Sequence, residues 1–430
     1  MNNLMDILGS DLMERDILPQ IVKWIPHKEA IILSGSRQVG KTSLLYLLIQ
    51  QLVKKEGIAV EDIFYFDLER FENLDMVNAG VDNLIDFLSE QNPKSAKKYV
   101  FIDEIQYLDD PSNLLKILVD HYSDRIKIFA TGSSALTIKK KFKDSLVGRK
   151  INFEIYSLNF KEYLVFKKAP QLRAIIQVYE KLNQIKPISK ISHKEILKHY
   201  YEYSLFGGYP AVVLLREQDK KKKYLNDIYS SYIRKDINAL FSLENITAFN
   251  NVVKLLALNI GNLINVQEIS KEIGMARQTV EKYFSILENT YICKFIQPYF
   301  TNKKKEIVKM PKVYFYDTGL RNRIINNFRK IEDRMDAGAL IENAVFKNLL
   351  KRVENPGNIK FWRMKYGVEV DFVIDEEEIV PVEVKMKDTD TISSGIASFL
   401  NSYNPKATII ANKGMTKKVK DVMFFPFYVV

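Results

Sequence analysis

The sequence predicts an α/β protein with four parts. A parallel-sheet core at the N-terminus is followed by a helical segment, a winged helix-turn-helix and a second α/β domain. Three observations predict this. Short apolar runs alternate with helical stretches from about residue 29 to 156; a glycine-bearing loop joins the first run to the first long helix; and the C-terminal part pairs two acidic strand-like segments across a turn. The expected division is 1–160 for the core, 161–240 for a helical lid or linker, 241–325 for the winged helix and 326–430 for the last domain.

In the core, AIILSG (30–35), IFYFDL (63–68), YVFIDE (99–104), IKIFATG (126–132) and INFEIY (151–156) read as five strands. Near-continuous apolar runs of this length suit strands buried on both faces, and the helical segments 42–55 and 112–122 between them suit right-handed βαβ crossovers. The loop GSRQVGKT (35–42) matches G-x-x-x-x-G-K-[ST], with a strand before it and a helix after it, so the core reads as a P-loop NTPase. Gly35 and Gly40 permit a tight turn whose N–H groups converge on phosphate, while Lys41 reaches the β- and γ-phosphates and Thr42 binds Mg²⁺. Residues expected around ATP are Gly35, Ser36, Arg37, Gln38, Val39, Gly40, Lys41, Thr42 and Ser43.

YVFIDE ends in two carboxylates, a Walker B pattern in which Asp103 holds the Mg²⁺ shell and Glu104 activates the attacking water. Thr131, Ser133 and Ser134 follow the next strand, where a hydroxyl senses the γ-phosphate or simply makes a turn. Arg149 is a candidate γ-phosphate contact, in its own chain or as a finger reaching a neighbour's site, with a plain surface arginine as the alternative.

From about residue 160 to 241 the chain reads as helical and lysine-rich, broken by FGGYP (206–210). Residues 266–289 then read as helix–turn–helix. Gly274 is placed to end the first helix, and Val280, Phe284 and Leu287 form the inward stripe of the second. That leaves Arg277, Gln278 and Lys282 outside, where a recognition helix meets DNA, and puts Lys303, Lys304 and Lys305 at the tip of a wing formed by 291–300 and 307–317. A packing module or protein-contact surface is the alternative.

At the C-terminus, a hairpin centred on Glu377 sets Asp371 opposite Glu383. Opposed like charges need a neutralising partner, such as a divalent cation. Alternation puts Lys385 on the face of Glu383, and the helix 336–352 brings up Glu342 beside an apolar face. Glu342, Asp371 and Glu383 are the expected metal ligands, and with Lys385 they compose a constellation for metal-assisted phosphodiester hydrolysis. Cross-strand ion pairing is the bland alternative.

Of 430 residues, 64 are Lys or Arg and 53 are Asp or Glu, a net charge of +11 that suits a polyanion such as DNA or, equally, a solvated lysine-rich surface. The single cysteine, Cys293, excludes an intrachain disulfide and a thiolate zinc cluster, and the four histidines lack ligand or triad spacing. No apolar run approaches the ~20 residues of a membrane span. Asp6, Asp11 and Glu14 stand where a signal peptide needs basic and apolar stretches, so a cytoplasmic location is expected.

The segments SGSRQVGKTSLL, YVFIDEIQYL, TGSS, LVGRKINFEIYSLNFKEYL, FGGYP, KVYFYDTGL and EVDFVI…PVEVK occur in one order. From about Leu18 to beyond Lys385, the chain resembles a family of bacterial and archaeal ATPases. These fuse an AAA-type domain, through a winged helix, to a restriction-endonuclease-like domain. The resemblance implies ATP contacts at 35–42, Mg²⁺ and water handling at Asp103 and Glu104, and a PD-(D/E)XK-like site at Asp371, Glu383 and Lys385. Ser36 stands where the family often has proline. The expectation is an ATPase acting on or regulated by DNA, with a metal-dependent nuclease domain and a homo-oligomeric or protein partner. The alternative is a nucleotide-dependent switch that binds proteins, its nuclease-like domain degenerate.

Overall fold

The computed structural model describes residues 2–132, 146–181, 187–233, 245–302, 306, 309–364 and 367–430. Ser133, Ser134, Lys303, Lys304 and Lys305 lie outside the described residues. The chain divides into two units. One comprises Met1–Tyr156 with Asn289–Tyr291, the other Ser157–Glu288 with Ile292–Val430.

The first unit is built on strands β1 (Ala30–Ser34), β2 (Ile63–Asp67), β3 (Lys98–Asp103), β4 (Ile126–Gly132) and β5 (Lys150–Glu154). All neighbours pair in parallel, in the order β2-β3-β4-β1-β5. β1 and β4 are buried along their whole length, as expected of central strands covered on both faces. Among the described residues, six α-helices accompany the sheet: α1 (Asn2–Gly9), α2 (Leu18–Val22), α3 (Lys41–Lys54), α4 (Phe71–Asn78), α5 (Val81–Gln91) and α6 (Pro111–Tyr122). α3 buries Leu44, Leu45, Leu48, Ile49 and Leu52. α6 starts at Asp110, whose side chain accepts from the Asn113 N–H, with Pro111 in the first turn where its missing N–H costs nothing.

In the second unit, α7 (Phe160–Phe166), α8 (Pro170–Gln177), α9 (Lys190–Phe206), α10 (Pro210–Leu214), α11 (Gln218–Ser231) and α12 (Ile246–Leu258) precede a helix–turn–helix of α13 (Val266–Ile273) and α14 (Arg277–Asn289). Gly274 ends α13 at φ 69°, ψ 34°. β6 (Cys293–Ile296) and β7 (Lys312–Phe315) then pair antiparallel. Asp317, the N-cap of α15 (Thr318–Ile324), explains why YDTGL and FGGYP meet. Its carboxylate accepts from Gly319 N–H and Leu320 N–H, from Gly208 N–H at 2.8 Å, from Ser157 Oγ at 2.8 Å and from Lys347 Nζ at 3.0 Å. A buried carboxylate needs such saturation.

The C-terminal part packs α16 (Ala337–Leu349) and α17 (Ser394–Tyr403) with β8 (Ile359–Arg363), β9 (Glu369–Asp375), β10 (Ile379–Val384), β11 (Thr408–Asn412), β12 (Lys417–Val419) and β13 (Val422–Pro426). These strands form one mixed sheet, ordered β12-β13-β11-β10-β9-β8. β9 and β10 pair as Ile379↔Asp375 and Val382↔Phe372, the register of a hairpin centred on residue 377.

Candidate functional site

The carboxyl ends of β1, β3 and β4 gather the first constellation. Ser34 pairs with Gly132, Leu33 with Thr131 and Ile102 with Ala130, so the loop after β1, Asp103 and Thr131 share one sheet edge. Within the loop, Gln38 and Gly40 both have positive φ, 61° and 93°, conformations in which successive N–H groups make an anion-binding concavity. α3 starts directly behind it with the positive end of its dipole. A Cβ on Gly35 would collide with the Ile155 carbonyl oxygen, so only glycine fits there. Lys41 is buried, its Nζ donating to the carbonyls of Gly35 at 3.1 Å and Ser36 at 2.9 Å.

Thr42 Oγ1 donates to Asp103 Oδ2 at 2.8 Å, bringing together a hydroxyl from α3 and a carboxylate from β3. Thr131 Oγ1 donates to the other Asp103 oxygen while accepting the Glu104 N–H at 2.8 Å. Tyr65 OH also donates to Asp103, at 3.0 Å, and burial followed by the Asp103 charge raises the Tyr65 phenol far above its ordinary value. Glu104 sits at φ 58°, ψ 51°, a left-handed conformation costing a residue of this type about 1–3 kcal/mol. The Gln106 side-chain amide donates to its carboxylate. The oxygen-only pair of Thr42 and Asp103 suits a hard cation such as Mg²⁺.

Arg149 is not brought to this edge. It precedes β5, whose Lys150 pairs with Ala30 while Glu154 pairs with Ser34, so it stands at the amino end, roughly 15 Å of strand away from the loop. Its Nε donates to Asp120 Oδ1 at 2.6 Å. The expectation that it reaches the γ-phosphate within its own chain is corrected accordingly. Arg15 lay outside the sequence expectations. It is buried, and its guanidinium donates to the carbonyls of Val39 and Tyr156, both at 2.9 Å, bracing the loop.

The second constellation lies on β9, β10 and α16. Val384 N–H donates to Asp371 Oδ2 at 2.8 Å. Lys385 Nζ lies 2.5 Å from Glu383 Oε1, and the Ser393 hydroxyl donates to the other Glu383 oxygen. The Tyr314 hydroxyl donates to Glu342, and Lys312 Nζ, on buried β7, lies 3.8 Å from Glu342 and 3.4 Å from Glu369. Burial, then the Asp371 charge, raises the Glu342 carboxyl to about 8; burial raises Asp371 to about 6 against the pull of Lys312.

The expected metal cage of Glu342, Asp371 and Glu383 is not formed. Among the described residues, no group of three or more His, Cys, Asp or Glu side chains is placed to hold a metal ion. Glu383 is taken up by Lys385 and Ser393, Asp371 accepts from Val384 N–H, and Tyr314 and Lys312 engage Glu342, although Lys385 interacts electrostatically with all three carboxylates. Sequence reasoning missed Lys312 and Tyr314, although a lysine heading the apolar run KVYF was a usable signal.

On α14, Val280, Phe284 and Leu287 are buried, while Arg277, Gln278 and Lys282 are exposed. Arg277 Nε pairs with Glu281 one turn on, at 2.8 Å.

Residues 27–164 match the family model of an AAA domain. The chain carries an AAA-type P-loop domain. Downstream of it, residues 197–330 and 337–428 match two domains of unknown function, DUF8612 and DUF4143. An uncharacterized protein of Methanocaldococcus jannaschii is 29% identical over 91% of this chain and 81% of its own. Another, of Haemophilus influenzae, is 27% identical over 79% of each. Among solved structures, the Aeropyrum pernix ORC2 protein in its ADP form shares 13% identity over 67% of this chain and 90% of its own, with a TM-score of 0.36.

Proposed function

We propose that the AAA-type domain binds and hydrolyses ATP. The observation that carries this is the meeting of Thr42, Asp103 and Thr131 at the mouth of the 35–42 loop. The loop amides of Gly35 to Thr42 and Ser43 hold the phosphates, and Lys41 turns from the Gly35 and Ser36 carbonyls to the β- and γ-phosphates. Mg²⁺, held by Thr42 and Asp103, neutralises phosphate charge when bound. Thr131 fixes the Asp103 carboxylate and the Glu104 backbone together. Glu104 accepts a proton from the attacking water, released from its Gln106 partner as substrate arrives. In steady-state assays, Lys41→Ala is expected to lower kcat by about 100-fold or more, on the scale of losing one preorganised charge donor, with the melting curve unchanged. Equal turnover in wild type and variant rejects the site.

Downstream, α13, α14 and the β6–β7 pair act as a winged helix. Arg277, Gln278 and Lys282, with Lys303, Lys304 and Lys305, contact DNA phosphates, a reading supported by the exposure of the α14 residues and the charge of +11. For the C-terminal domain, the engagement of Glu342 by Tyr314 and Lys312 favours the second reading, a nuclease-like domain that holds a partner rather than cutting DNA. Incubation with Mg²⁺ or Mn²⁺ and varied DNA structures is expected to give no cleavage; cleavage abolished by Asp371→Ala and Lys385→Ala reverses that reading.

A further inference from the structure

Asp103 takes hydroxyl donors from three elements, and the three differ in what else they do. Thr42, from α3, is itself a ligand in the ATP reading, and Thr131, from β4, also accepts the Glu104 N–H. Tyr65 comes from β2, the edge strand beside β3. Its register partner is Phe101, two residues before Asp103, so alternation puts Tyr65 and Asp103 on one face of the sheet. The long phenol spans that diagonal, and its hydroxyl donates to Asp103 Oδ2 at 3.0 Å. With its proton so committed, the same hydroxyl accepts from Tyr46 OH at 3.4 Å. The two rings pack edge-on, 5.5 Å between centroids. Tyr46 stands four residues after Thr42 on α3, so one face of this helix carries both the hydroxyl that meets Asp103 and the prop behind Tyr65.

The last torsion of an aspartate is soft, so the plane of its carboxylate is set by hydrogen-bond partners rather than by rotamer preference. Of the two donors on Oδ2, Tyr65 alone stands outside the proposed Mg²⁺ shell, and it can hold that oxygen while Thr42 serves the cation. A neutral phenol does this without cancelling the negative charge that attracts the cation, as a lysine there would.

We propose that Tyr65 is a positioning residue for the Mg²⁺ that accompanies ATP, acting through Asp103; this rests on the ATP reading of the loop. Partners that orient a ligating carboxylate typically contribute about 10–100-fold to metal affinity. The test is a fluorescence titration of the full chain with a non-hydrolysable ATP analogue, once with Mg²⁺ and once with EDTA, the ratio of the two affinities reporting the metal. Wild type is expected to bind more tightly with Mg²⁺. Tyr65→Phe keeps the ring and its EDTA affinity but loses about 10-fold of the gain from Mg²⁺. In Asp103→Asn the gain is gone, and adding Tyr65→Phe changes nothing further, whereas a merely structural tyrosine adds its own loss. Tyr46→Phe removes only the hydrogen bond into the Tyr65 oxygen and lowers the gain by a smaller factor, which decides the matter if Tyr65→Phe melts early. An undiminished Mg²⁺ gain in both tyrosine variants, equal losses with Mg²⁺ and with EDTA, or a wild type that binds the analogue equally well under both conditions overturns the role of Tyr65 alone. A wild type that takes up no analogue under either condition removes the ATP reading as well.

Discussion

Asp103 has three hydroxyl partners, from Thr42, Tyr65 and Thr131. Glu104 is held differently, by backbone strain and a single amide partner, which leaves its carboxylate able to change partners while its position stays fixed. In the C-terminal domain Glu342 makes a testable contrast. Its carboxyl is raised to about 8 by burial first and by Asp371 second, from an ordinary 4.5. A folded-state value above the unfolded one means the folded chain keeps a proton that the unfolded chain has released. This contribution is therefore full below about 4.5 and is lost as pH rises towards about 8. Thermal melting across that window is expected to show stability falling with pH in wild type. The fall should be shallower in Glu342→Gln, which is neutral throughout; parallel curves contradict the assignment.

At the scale of elements, the turn at Gly274 shows how cheaply a helix–turn–helix is specified. A Cβ there meets nothing within 4 Å, so Gly274→Ala pays only for the left-handed backbone, about 1–2 kcal/mol by chemical denaturation, with no repacking. The five strands of the AAA-type domain were legible because each is an apolar run between turn signals, and the β9–β10 register was legible because a short hairpin fixes its own pairing. Other features were not. α17 was not anticipated, since a ten-residue helix between strands gives little periodicity to detect. Lys312 and Tyr314 meet Glu342 only because β7 and α16 pack together, and no local pattern encodes that meeting. Arg149 follows a glycine and precedes a strand, yet the parallel direction of β5 puts it at the end of the sheet away from the phosphate loop.

For the whole molecule, a charge of +11 over two units makes polyanion binding a matter of where the lysines and arginines lie. Among the described residues, no helix is long and apolar enough to cross a membrane. If α14 contacts phosphates, the logarithm of DNA affinity falls linearly with that of salt concentration, and replacing Arg277 and Lys282 together with alanine lowers the slope by about 2. An unchanged slope assigns that face to a protein partner instead. Everything downstream of the loop depends on its holding a triphosphate, and the most direct measurement is equilibrium titration of Glu104→Gln and Lys41→Ala with ATP and Mg²⁺. The expected result is that Glu104→Gln binds ATP as wild type does while turnover falls by at least about 100-fold, and that Lys41→Ala binds far more weakly. Failure of both wild type and Glu104→Gln to take up ATP contradicts it.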